Sequence, residues 1–118
     1  ETFIYPVFRT LTMTSAFLEV VGESPVLKVL DFLTVNDDFD YSMTDIAKWS
    51  EIGYSTLKLF WEELENAGIV IETRTVGKAK MFTLDEKNTT VKKFKEFYWA
   101  ITKNKIGMHK KELLAVIS

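Results

Sequence analysis

The chain has 118 residues, 47% of them apolar and 14% aromatic, so it is long enough for one modest core and too apolar for a disordered tail. It contains no cysteine, which excludes disulfides, thiolate metal sites and cysteine nucleophiles. The formal charge is −2, and with no apolar run of bilayer length and no secretory pattern a soluble, intracellular, cytoplasmic protein is expected.

Residues 1–14, ETFIYPVFRTLTMT, favour extended structure, with Pro6 suited to an edge or an irregular arm. Residues 15–22, SAFLEVVG, read as a short helix or a lead-in turn. Apolar groups so near one end need a surface, either their own domain or a second subunit. Ser24 and Pro25 then supply an N-cap followed by proline at the first helical position. Val26, Leu27, Val29, Leu30 and Leu33 make the next segment a core helix ending near Val35. A loop follows, with Asp37, Asp38 and Asp40. It lacks the ligand spacing of a calcium loop and is expected to be a solvated acidic turn pinned to the core by Phe39 and Tyr41.

The stretch SMTDIAKWSEIGYSTLKLFWEELENA, residues 42–67, organises the rest. Ser42 with Asp45 three residues later is a capping-box-like start. Met43, Ile46 and Ala47 form one apolar face, and Ile52 closes the corner. Gly53 can cap a second helix running to about Ala67, on which Leu57, Phe60, Trp61 and Leu64 make one stripe. Gly68 is a left-handed helix end. Residues 69–74 and 79–84 are two extended segments around a turn containing Gly77, hence a hairpin.

The order SMTDIA, IGYSTLK, ENAGIV and TRTVGKAKMFTL resembles a winged helix-turn-helix transcriptional regulator of the kind common in archaea and bacteria. One position departs from the pattern: Glu51 stands in the turn where such proteins often carry glycine. The resemblance implies an α+β fold in three parts: an N-terminal arm or short helix (residues 1–23), the winged domain (24–84) and a long C-terminal helix (85–118). It further implies that the second helix of the motif, residues 54–67, enters the major groove of double-stranded DNA. Tyr54, Ser55, Thr56 and Lys58, with Leu59 beside them, would then meet DNA, and Glu62, Glu63 and Glu65 would require insertion by the helix N-terminus. The hairpin, residues 69–84, becomes a wing on the backbone carrying Arg74, Lys78 and Lys80, which simple strand alternation places on one side.

Charge is distributed unevenly. Before Arg74 the basic residues are Arg9, Lys28, Lys48 and Lys58, against a large acidic excess; from Arg74 onward lysines dominate. Such asymmetry points to nucleic-acid contact through the basic part. Near the end, Asn88, Thr89 or Thr90 can cap a long helix bearing Val91, Phe94, Phe97, Tyr98 and Ile101 on one stripe. Gly107 breaks or softens it, and Leu113, Leu114, Val116 and Ile117 continue apolar. By the resemblance this tail is the candidate homodimer interface, with the N-terminal arm as a second candidate; the alternative is a helix folded back on its own core.

No Walker loop, dinucleotide fingerprint or zinc spacing occurs, and His109 stands alone among lysines as an expected exposed helix residue. Neither an enzyme nor a cofactor is expected. The competing function class is a winged-helix module that pairs with proteins without touching DNA.

Overall fold

The computed structural model describes residues 14–117, except the side chains of His109 and Ile117. The expected extended arm therefore lies outside the described residues except for Thr14, and so does the expected exposure of His109. The elements are α1 (Ala16–Val21), α2 (Pro25–Val35), β1 (Tyr41–Ser42), α3 (Met43–Ser50), α4 (Tyr54–Asn66), β2 (Val70–Val76), β3 (Ala79–Leu84) and α5 (Thr89–Ile117). The strands form an antiparallel sheet in the order β1-β3-β2.

Local chemistry explains the boundaries. The hydroxyls of Ser15, Ser24 and Ser42 accept hydrogen bonds from the amides of Leu18, Leu27 and Asp45, starting α1, α2 and α3. Between α3 and α4 the chain turns at Glu51, which adopts the left-handed conformation at φ 61° that glycine takes most easily. The turn is thus built as the resemblance implies even without the glycine. The Ile52 amide donates to the Ala47 carbonyl at 3.0 Å, closing the corner. At the end of α4, Gly68 is left-handed at φ 73°, and a Cβ there would stand 2.8 Å from Asn88 Nδ2. That same amide nitrogen donates to the carbonyls of Ala67 and Gly68, while Asn88 Oδ1 accepts from the amides of Thr90 and Val91. One side chain therefore closes α4 and opens α5.

The main core joins α2, α3, α4, the sheet and the start of α5 through Val29, Phe32, Leu33, Ile46, Ala47, Leu57, Trp61, Leu64, Val70, Phe82, Leu84 and Val91. Trp61 meets Phe82 edge-on at 5.2 Å, which fixes the hairpin against α4. Tyr41 packs edge-on against Phe32 at 4.9 Å, as expected. Phe39, expected to do the same, is 69% exposed: the two-residue β1 begins only at Tyr41, so the loop before it is held at one aromatic and not two.

A second cluster joins α1, α2 and α5. Phe17, Leu18 and Tyr98 are buried, with Val21, Leu27, Phe94 and Ile101 packed around them. At its centre Asp31, fully buried, accepts hydrogen bonds from the Ser15 hydroxyl at 2.7 Å and the Tyr98 hydroxyl at 2.6 Å, both on Oδ1. α5 runs unbroken through Gly107 for 29 residues, about 43 Å at 1.5 Å per residue. Among the described residues only its first half is packed on the core; Ile106, Met108, Leu113 and Val116 are exposed. Tyr98→Phe keeps the ring and removes one donor to a buried carboxyl group. Chemical denaturation should show a loss of about 1–3 kcal/mol, and an unchanged midpoint would mean that this hydrogen bond does not hold the helices together.

Candidate nucleic-acid interface

The residues expected to meet DNA lie at the start of α4 and at the tip of the hairpin. Gly53 caps α4 without a side-chain hydrogen bond, so the first amides of the helix keep free donors. Tyr54, Ser55 and Lys58 are exposed, Thr56 is half-buried, and Leu59 is 84% exposed. Lys58 Nζ lies 5.7 Å from the centroid of the Tyr54 ring, a cation–π contact that holds the ammonium over the helix start. Glu62, Glu63 and Glu65 are exposed farther along the helix.

The hairpin departs from simple alternation. Glu72 pairs with Phe82, but Arg74 pairs with Met81, a bulge that absorbs one residue of β2. Directly paired residues share a face, so Arg74 lies on the Met81 face, whereas Lys80, two residues from Phe82, lies on the Phe82 face. The expectation that Arg74 and Lys80 share one side is corrected: the bulge shifts the phase by one residue and parts them.

Each face looks onto different chemistry. On the Phe82 side, Lys78 and Lys80 form one wall of a groove whose other walls are Thr44 of α3 and Tyr54 and Glu65 of α4. Of the residues expected to meet DNA, the groove brings together Tyr54, Lys78 and Lys80, while Ser55, Thr56 and Lys58 do not line it. Among the described residues Lys58, Lys78 and Lys80 have no ion-pair partner. On the other side, Arg74 is committed within the molecule. Its Nε and Nη2 donate to both carboxyl oxygens of Asp40, at 2.9 and 3.1 Å, and the Thr73 hydroxyl donates to the same group. Sequence reasoning missed this pair. The acidic loop is not simply solvated, because Asp40 holds Arg74 and Asp37 accepts from Lys95 Nζ at 2.7 Å.

The hydrogen bond from Arg74, then that from Thr73, lowers the Asp40 pKa from its ordinary 3.8 to about 2, and the same bond raises that of Arg74. For Lys95, burial opposes the charge, yet the hydrogen bonds from its ammonium to Asp37 and Glu86 leave its pKa raised. Among the described residues no group of three or more histidine or acidic side chains is placed to hold a metal ion, and no helix is long and apolar enough to cross a membrane.

No family model matches the chain, and no curated protein sequence matches it. Among solved structures it is similar to MepR, a transcription regulator of the Staphylococcus aureus multidrug efflux pump MepA. The TM-score is 0.55 at 15% identity, over 75% of this chain and 70% of that one. A mutant of Lactococcus lactis ZitR gives 0.52 at 13% identity, over 76% of this chain and 68% of that one. Wild-type ZitR in complex with DNA gives 0.50 at 12% identity, over 76% and 68%. The chain has the winged helix-turn-helix fold. α3 and α4 are its helix-turn-helix, the β2–β3 hairpin is its wing, and α5 is the long helix that follows.

Within that winged helix, Arg74 braces the wing against the α2–β1 loop. Because the folded Asp40 pKa lies below its ordinary value, the contribution of the pair to stability is complete above about pH 3.8 and is lost as pH falls through about 2. In Arg74→Ala, carboxyl NMR titration should find Asp40 moved up toward 3.8; an unchanged titration would show that the pair does not form in solution.

Proposed function

We propose that this protein binds double-stranded DNA as a homodimeric transcriptional regulator. The start of α4 enters the major groove, and Lys78 and Lys80 of the wing hold the adjacent backbone. The observation that carries this reading is the shared groove: Lys78 and Lys80, which have no ion-pair partner among the described residues, line it together with Tyr54 of the first turn of α4. Free helix amides and a positive helix end favour phosphate there, and Ser55, Thr56 and Tyr54 add hydroxyl groups to Lys58. The glutamates farther along α4 keep the rest of the helix away from phosphate, so insertion is by the N-terminus. Arg74, tied to Asp40, sets the angle of the wing and leaves phosphate contact to the lysines.

The exposed apolar half of α5 supports pairing of two copies through that helix, with the N-terminal arm as a further contact. Two winged units related by a two-fold axis would read half-sites about 34–36 Å apart. One observation favours the alternative of a protein-pairing module: Leu59 projects from α4 beside Glu62 and Glu63.

Binding to mixed-sequence duplex DNA across a salt series separates the two. Lys78→Ala/Lys80→Ala should weaken binding and make the log-log salt slope shallower by about 1.8, at about 0.9 for each phosphate no longer neutralised, whereas Arg74→Ala should change the slope far less. If the wild type shows no affinity at low salt, the DNA-binding reading is lost and the protein-pairing module takes its place.

A further inference from the structure

The α2–β1 loop lies against the Arg74 face of the wing, away from the groove, and it carries a patch outside the proposed DNA-binding groove. Asp37 and Asp38 are exposed there, and Phe39 is held out between acids at 69% exposure. A second patch adjoins it on the first half of α5. Lys92, Trp99 and Lys103, spaced by seven and four residues, lie along one stripe and line a shallow surface with Lys95 and with Glu96, whose charge is paired with Lys93 at 3.8 Å. Trp99 is 41% exposed, with its ring braced edge-on against Tyr98 at 4.8 Å. The ion pair of Lys95 with Asp37 joins the two patches into one surface, acidic and aromatic at one end and basic and aromatic at the other. Among the described residues, Asp38, Lys92 and Lys103 have no ion-pair partner.

We propose that this surface binds a second copy of the chain about a two-fold axis near the Lys95–Asp37 contact, the Phe39 loop of each copy seated on the Trp99 stripe of the other. A two-fold contact requires a patch complementary to itself, and this one is, since the rotation lays acid on base twice. An acidic partner would be repelled by the loop and a basic one by the lysines. DNA would meet Asp37 and Asp38 on the same face. Only a surface with both signs in reversed order satisfies both ends, and a second copy supplies it. Each copy keeps its groove of α4 and wing uncovered, because the groove lies on the other side of the hairpin. The contact is therefore compatible with occupied DNA and would join neighbouring bound units.

The test is a charge exchange between copies, read by sedimentation velocity over a concentration series at low and high salt. Asp38→Lys opposes lysine to lysine at both contacts, and Lys103→Glu opposes acid to acid. Each variant alone should associate about tenfold or more weakly than the wild type, while their equal mixture, with every contact again of opposite sign, should recover wild-type association. High salt should weaken the wild-type step. Residues 38 and 103 are not among the exposed apolar residues of α5, so the pairing proposed through Ile106, Met108, Leu113 and Val116 is expected to be common to all samples. Equal association of wild type and both variants would overturn the proposal. So would a mixture no stronger than either variant, or a Lys103→Glu protein that loses DNA affinity with self-association intact.

Discussion

A carboxyl group with no access to solvent sits where three helices meet, and the layout of the molecule depends on its being satisfied. Asp31 of α2 receives the hydroxyl of Ser15, which also caps α1, and that of Tyr98 from the first half of α5. Leaving such a group without donors would cost more than the hydrogen bonds themselves contribute, so α1 and α5 are held in the one arrangement that supplies them. Phe17 then meets Phe94 edge-on at 5.4 Å, and Lys105 reaches Glu19 at 3.0 Å farther out. Past that point α5 covers no core among the described residues, and Ile106, Met108, Leu113 and Val116 are exposed.

The direction of the wing follows from a different constraint. Trp61 against Phe82 fixes the base of the hairpin on α4, and the bulge between Glu72 and Arg74 turns the outer half by one residue. Positive charge is thereby divided. Arg74 is consumed by Asp40 on one face, and Lys78 and Lys80 are left toward α4 on the other. A net charge of −2 does not prevent a locally basic groove, since Lys78 and Lys80 line it against one acid, Glu65, while Asp37, Asp40 and Glu86 pair with cations elsewhere.

Much of this is legible in the sequence. Serine caps before apolar periodicity locate α2 and α3, α1 being readable only as a short helix or a lead-in turn, and the stripe of Leu57, Phe60, Trp61 and Leu64 marks the inward side of α4, which leaves Tyr54, Ser55 and Lys58 outward. Gly68 and Gly77 mark a helix end and a turn by the one property glycine alone offers cheaply. Contacts between distant segments are not legible. Strand parity counts residues, and a bulge is invisible to counting, so parity puts Arg74 with Lys80. The Asp40–Arg74 pair spans 34 residues and the Tyr98–Asp31 bond spans 67; both depend on how the chain returns on itself. A single aspartate within an apolar helix pattern is the only trace of the second, and nothing in the sequence sets Asp31 apart from a solvated side chain. Glu51 shows the reverse case: a residue that departs from the usual turn pattern adopts the conformation the turn demands.

In the proposed complex, DNA is met by the groove between the start of α4 and the wing lysines, with the Arg74 face turned away. Amide chemical-shift mapping of the labelled protein during titration with a short duplex tests this most directly. Shifts should concentrate at residues 53–58 and 77–80, with Asp37, Asp38, Phe39 and Arg74 little affected. Shifts centred on Arg74 and the acidic loop, or on Glu62 and Glu63 with residues 77–80 silent, would contradict it.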